Sequence, residues 1–226
     1  MDLKNNILTL CAVGDKFIQQ TLNNLYRFKK SNWDIHILTD QPDKFNDVTT
    51  YEYSNSVFSY FDKLTFSFKV MKKLKTGVVS LDADKLYLIS DRFIEHTHQY
   101  EEFRYYSINR WAPYFDHLKE NGNWNIVYSY FKYLDMDTSK LRNFWEEVLY
   151  FPYSVFSNHQ INVDLETLKP IFEYRSILDG WSRPSLGEGE GIAIGFLLQK
   201  YHLKSEQFDC EVFPNNNPFN GEEKLV

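Results

Sequence analysis

The sequence predicts an α/β domain with a mostly parallel central sheet flanked by helices. Its opening reads strand, helix, strand: an apolar run at Ile7–Val13, helix-spaced apolar residues between Lys16 and Lys30, and a second run at Asp34–Thr39. A helical stripe of Phe61, Leu64, Phe68, Met71 and Leu74 then leads directly into the short run Val78-Val79-Ser80-Leu81. That run ends in Asp82-Ala83-Asp84. Carboxylates at such a strand end stand where open α/β sheets bind their ligands.

Ile7 to Val13 predicts the first strand, with Gly14-Asp15 as a turn in which Asp15 can cap the next helix. That helix covers Lys16–Lys30, with apolar residues at Phe17, Ile18, Leu22, Leu25, Tyr26 and Phe28. Asp34–Thr39 is the second strand and ends at Asp40; Gln41-Pro42-Asp43 is a turn, and Val48–Tyr53 alternates as a third strand. A helix from about Ser59 to Lys75 places Lys69 and Lys73 opposite its apolar stripe and Lys63 on the flank. After the Asp82/Asp84 strand, Leu86–Ile89 is expected to continue it or to return antiparallel. Residues 98–140 are aromatic-rich with little periodicity, broken at Trp111-Ala112-Pro113 and Asn121-Gly122-Asn123. Further on, Leu141–Leu149 reads as a helix, Tyr150–Ser157 as extended around Pro152, and Val163–Tyr174 as a helix despite Pro170. A Gly187-Glu188-Gly189-Glu190-Gly191 turn precedes a helix at Ile192–Tyr201, apolar nearly all round and so buried, and Glu211–Phe213 reads as a last strand.

The chain has 226 residues and a net charge of −6, so no global basic field points to nucleic acid. Aromatic residues make up 18% of it, enough for a core of large side chains or for a face that stacks on planar groups and sugars. Cys11 and Cys210 lie near opposite ends, Cys11 within an apolar run as a buried thiol, and no disulfide framework is indicated. With no signal peptide at Met1–Asn6 and no apolar run of membrane-spanning length, a cytoplasmic protein is expected.

Asp82 and Asp84 offer hard oxygen donors that suit Mg²⁺ or Mn²⁺, with substrate phosphates completing the shell. The β-α-β opening, a helix with a basic residue at Tyr60-Phe61-Asp62-Lys63-Leu64 and the Leu81-Asp82-Ala83-Asp84 motif resemble the GT-A class of nucleotide-sugar glycosyltransferases. Among these it looks most like the retaining glycogenin-like and blood-group A/B-like members. That resemblance implies a single GT-A (Rossmann-like) domain over residues 1–226, with a nucleotide-sugar half at 1–90 and an acceptor half at 91–226. It also implies a nucleoside-diphosphate-sugar donor, UDP-sugar first, bound around Ala12, Val13, Asp15, Asp40, Lys63, Asp82 and Asp84. Asp82 and Asp84 would be the metal ligands, and Glu190, with Glu188 second, the catalytic carboxylate. At a helix N-terminus, Glu190 is expected to stay ionised, with Gly191 letting the backbone approach a ligand. His202 is the last histidine and no His-x-x-Gly pattern follows, so no third metal ligand is marked.

The implied acceptor is a hydroxyl group, on a glycan or, should the source be a phage, on a hydroxymethylated base of modified DNA. Lys, Asn, Phe and Tyr in abundance with few Arg point to an AT-rich bacterial or phage genome, and Lys69, Lys72, Lys73 and Lys75 could then meet phosphates. Two other readings compete. A haloacid-dehalogenase-type phosphohydrolase also has an apolar strand followed by Asp-x-Asp, but there the motif opens the domain. A degenerate transferase would bind the nucleotide sugar without turning it over.

Overall fold

The computed structural model describes residues 6–55, 58–108, 114–119, 124–178 and 189–214. Its centre is a seven-stranded sheet in the order β3-β2-β1-β4-β6-β5-β7. The strands are β1 (Ile7–Ala12), β2 (Asp34–Thr39), β3 (Thr49–Glu52), β4 (Val78–Leu81), β5 (Phe103–Tyr105), β6 (Val148–Phe151) and β7 (Ser205–Gln207). All paired neighbours run parallel except β6, which runs against both β4 and β5. The helices are α1 (Asp15–Lys30), α2 (Tyr60–Leu74), α3 (Asp91–Glu95), α4 (Phe115–Lys119), α5 (Asn125–Tyr133), α6 (Tyr153–Phe156), α7 (His159–Leu178) and α8 (Glu190–Lys200). This is the predicted α/β class, with a mostly parallel sheet covered by helices. No helix among the described residues is long and apolar enough to cross a membrane.

Side-chain alternation sorts the sheet's two faces. On β1, Leu8, Leu10 and Ala12 join the core that also holds Ile18, Leu25 and Phe28 of α1. Val79 and Leu81 of β4 point the same way. Val78 joins the opposite core with Phe61, Leu64, Phe68 and Met71 of α2 and much of α8. The residues between form a polar seam under α2: Thr9 Oγ1 lies 2.7 Å from Ser67 Oγ, which donates to Ser80 Oγ at 3.1 Å.

Several boundaries differ from expectation. Residues Ala83–Leu88 form a 3₁₀ segment, not a strand. The Lys85 N–H bonds Asp82 O at 3.0 Å to start the turn. Arg27 of α1 then holds it, donating to Leu86 O at 3.2 Å and Ile89 O at 2.5 Å while pairing with Asp91 at 2.8 Å. The expected helix at Leu141–Leu149 is not formed: the chain is bridged at Tyr114–Arg142 and Ile108–Phe144, turns at Glu146–Glu147 and leads into β6. β6 is buried on both faces, so it is apolar throughout and its period gives no sign of a strand. Beyond Phe151 the chain does not stay extended: Pro152 caps the short helix α6. Glu211–Phe213 is not a strand either; Ser90 takes the carbonyls of Glu211 and Val212 through its hydroxyl and N–H, and the last strand is β7. The breaks at 111–113 and 121–123, the residue Glu188 and the tail 215–226 lie outside the described residues.

The 142–146 segment seats α8. A Cβ on Gly195 would stand 2.0 Å from Arg142 O, and one on Gly191 2.0 Å from Phe144 O. Gly191 therefore serves a backbone approach to Phe144, not to a ligand. Gly195→Ala is expected to destabilise the fold by about 1–3 kcal/mol, read as a lowered urea midpoint at unchanged m. A midpoint equal to that of the wild type would show that α8 does not need this approach.

Candidate functional site

Strand order reverses between β1 and β4: β2 and β3 lie to one side, and β6, β5 and β7 to the other. Ligands of α/β sheets bind beyond the carboxyl ends of strands at such a switch point. A cavity of about 270 Å³ opens there. Asp82, Asp84, Lys85 and Lys63 line it, with Glu146, Glu147 and Glu190 from the far side and Cys11, Val13, Phe17, Phe58 and Trp145 as its less polar wall.

The seam under α2 explains how Lys63 meets Asp82. Ser67 touches Ser80. Four residues back along α2, about 6 Å of rise, stands Lys63. Two residues forward from Ser80, about 6.7 Å of strand and on the same face, stands Asp82. The two steps match, and Lys63 Nζ bonds Asp82 Oδ1 at 2.5 Å. It also donates to Glu146 O at 3.2 Å and lies 3.9 Å from Glu190 Oε1. Lys63 is thus buried, at 4% exposure, and links Asp82 to the carboxylates across the cavity. Asp62 steadies the start of α2 beside it, accepting from Ser59 N, Tyr53 Oη and Lys169 Nζ.

Glu146 and Glu147 enter because β6 is antiparallel. Its first residue, Val148, pairs with Leu81, the last residue of β4, and Asp82 N bonds Glu147 O at 3.0 Å. The residues preceding β6 are thereby laid against the residues following β4. Glu147 Oε1 pairs with Lys85 at 2.8 Å, and the Trp145 side chain also bonds the Glu147 carboxylate. Glu146 Oε1 accepts the Gly191 N–H at 2.8 Å, which ties it to the start of α8, where Glu190 is the first residue.

Burial sets the electrostatics. It would lower the Lys63 ammonium, but Asp82, Glu190 and Glu146 outweigh it and hold Lys63 above the ordinary lysine range. Burial pushes the Asp82 carboxyl up against the pull of Lys63, and pushes Glu147 up against Lys85. It raises Glu146 to about 7, and burial together with Glu146 raises Glu190 to about 8. Desolvation and a neighbouring carboxylate thus act against the ionised Glu190 that the helix N-terminus favours. Cys11 lines the cavity, and burial raises its thiol well above the ordinary range, which disfavours the thiolate.

A pH dependence of stability follows. Folded Glu146 and Glu190 keep protons that the unfolded chain releases near 4.5, so stability falls as pH rises towards about 8. His98, lowered by burial to about 4, acts oppositely, but only below its unfolded value of 6.5. Between about pH 6.5 and 8.5 the metal-free protein is expected to lose about 1–3 kcal/mol, or roughly 3–10 °C in Tm. Glu190→Gln should flatten this slope; an equally steep Tm profile in that variant would show that the pair is not its source.

The other expected residues fall outside the cavity wall. Ala12 packs in the core facing α1. Asp40 accepts the Gly14 N–H at 3.0 Å and Asp15 accepts Gln41 Nε2 at 2.8 Å, so both tie the β1–α1 turn to the end of β2. Asp15 is the first residue of α1, not its cap. Lys69 and Lys73 lie over the Tyr51 ring at 5.7 and 5.2 Å. His202 lines a separate surface cleft.

Asp82 and Asp84 offer hard oxygen donors, the type that Mg²⁺ or Mn²⁺ takes, at the cavity. Five carboxyl groups face the cavity against the ammonium groups of Lys63 and Lys85. Asp82 and Asp84 would hold the ion and leave positions open for phosphate oxygens. No family model matches the chain, and no curated protein sequence matches it significantly.

Proposed function

We propose that the protein is a metal-dependent glycosyltransferase of the GT-A type, moving a sugar from a nucleoside-diphosphate sugar to a hydroxyl acceptor with retention. The observation that carries this reading is the Asp82/Asp84 pair at the switch point, joined through buried Lys63 to Glu190 across one cavity. Asp82 and Asp84 would hold Mn²⁺ or Mg²⁺, whose charge offsets that of the diphosphate leaving group. Val13, Phe17 and Phe58 offer an apolar wall for a nucleotide base. Lys63 supplies positive charge beside the diphosphate, and the Glu146–Glu190 pair faces the sugar. A glycan is the first acceptor to test, and hydroxymethylated DNA the second.

Thermal shift is the first test. Stabilisation by Mn²⁺ with UDP, and none by phosphate or BeF₃⁻, supports the transferase. The reverse pattern would assign a phosphohydrolase with an aspartyl nucleophile. A donor screen by mass spectrometry follows: released nucleotide and free sugar mark turnover, and binding without release marks an inactive binding protein.

Lys63→Ala should weaken donor binding or turnover by the equivalent of about 1.5–3 kcal/mol, the worth of a charge-assisted hydrogen bond. Lys63→Arg should retain more than Ala. Unaltered kinetics in Lys63→Ala would leave Lys63 as a fold element only.

A further inference from the structure

The end of α3 and the segment after β7 bring together a set of donors with different chemistry. His96 follows α3 as its C-terminal cap, and Asp209 and Cys210 follow β7. One ligand atom from each lies within 4.8 Å of the others, the one such set of His, Cys, Asp or Glu among the described residues. His96 Nε2 stands 3.2 Å from Asp209 Oδ1, which also accepts the Tyr100 hydroxyl at 2.6 Å. The chain on both sides is fixed. Ser90, at the start of α3, bonds the carbonyls of Glu211 and Val212, and Val212 and Phe213 are buried in the core with Phe93. His96 and Asp209 are partly exposed, at 37% and 53%, so an ion can enter from solvent.

We propose that His96, Asp209 and Cys210 form a second metal site, for Zn²⁺ or a similar thiolate-binding divalent ion. Imidazole, thiolate and carboxylate are the ligands zinc takes, at about 2.0–2.3 Å in tetrahedral geometry. Those bond lengths put neighbouring donors roughly 3.3–3.8 Å apart, within reach of small side-chain rotations from the observed cluster. The Tyr100 hydroxyl fixes the Asp209 carboxylate by its hydrogen bond, as carboxylates at metal sites commonly are held. Three protein ligands leave a fourth position for water. The donor set separates this site from Asp82/Asp84: hard oxygens there select Mg²⁺ or Mn²⁺, and the thiolate here selects Zn²⁺ or Co²⁺. The ion would clamp the end of the chain to α3, so its binding adds to stability by mass action. The site stands independently of the transferase reading.

Cobalt reports the site directly. The full-length protein, stripped with EDTA and held in excess Mg²⁺, is titrated with Co²⁺. The expected result is about one Co²⁺ per chain, with a thiolate-to-cobalt charge-transfer band in the near ultraviolet and the strong visible bands of a tetrahedral ion. The band should vanish in Cys210→Ser and in His96→Ala, and persist in Cys11→Ser and Asp82→Asn. Absence of the band in the wild type, or its survival in Cys210→Ser, overturns the proposal. Alkylation keeps the test open should a variant fail to fold: Zn²⁺ should slow iodoacetamide modification of Cys210 in the wild type at least about tenfold, by peptide mass spectrometry. An unchanged rate overturns the proposal equally.

Discussion

Asp84→Asn is expected to abolish Mn²⁺-dependent binding of UDP while leaving the fold intact. Asp84 lies in the 3₁₀ segment after β4, partly exposed at the cavity rim, and that segment is held from outside by Arg27. Removing the charge would therefore take away the proposed cation ligand without disturbing a core contact. Loss of a mere second-shell partner costs about 10–100-fold in metal affinity, so loss of a direct ligand should exceed about 100-fold. Asp82→Asn should also weaken binding, but it has a second consequence. Asp82 is the nearest partner of Lys63, and without its charge the ammonium is left with Glu190 at 3.9 Å and the Glu146 carbonyl. Asp82→Asn should thus lose some stability as well, and Asp84→Asn should not. Isothermal titration with Mn²⁺ and UDP or GDP, alongside circular dichroism, measures both. Unchanged affinity in both variants would remove the basis for reading this cavity as a nucleotide-sugar site.

The N-terminal half was legible because its signals agree with one another. β1, α1, β2, β3, α2 and β4 each have the period, length and turn residues of what they form. Lys63 could be singled out on its position in α2, but its burial could not, because that depends on the match between helix rise and strand rise along the Ser67–Ser80 seam. Glu146 and Glu147 went unread for a related reason. Leu141, Phe144, Trp145 and Val148 fit a helical stripe, whereas the chain there is not helical and feeds a strand buried on both faces. The available signal was the acidic pair directly before the apolar run Val148–Phe151, the mirror of Asp82 directly after Val78–Leu81. Only the antiparallel pairing of β6 with β4 puts the two acidic ends together, and pairing partners are not written in local periodicity. The place of Glu190 at the start of α8 is legible, but the upward push on its carboxyl is not, because helix position is visible in sequence and desolvation by packing is not. Gly191 and Gly195 carry the same lesson: their spacing on α8 is visible, while the carbonyls they approach belong to a segment about fifty residues earlier.

Glu190→Gln should keep donor binding and lose most of kcat, about 10²–10⁴-fold if the carboxyl works in proton transfer. Burial and Glu146 hold Glu190 to about 8, while the Gly191 N–H bonded to Glu146 favours charge on Glu146. The pair therefore holds a proton more readily than an ordinary carboxyl, and glutamine at 190 mimics its neutral form in size and hydrogen bonding. The ground state should change little. Glutamine cannot ionise, however, and under the transferase reading it is an ionised Glu190 that stabilises, or transiently attacks, the positively charged sugar centre. The sign of the pH profile separates the two forms. If the ionised carboxylate works, kcat/KM rises with pH through an apparent value above the ordinary carboxylate range; a fall over the same range would make Glu190 a general acid. Glu146→Gln removes the repelling charge and should shift the rise to lower pH, a result a purely structural role for Glu146 would not give. Glu188→Gln should cost little. Anomeric NMR of the product decides the stereochemistry: retention is expected, and an inverted linkage would reassign the carboxylate as a base for the acceptor hydroxyl even if Glu190 proved essential.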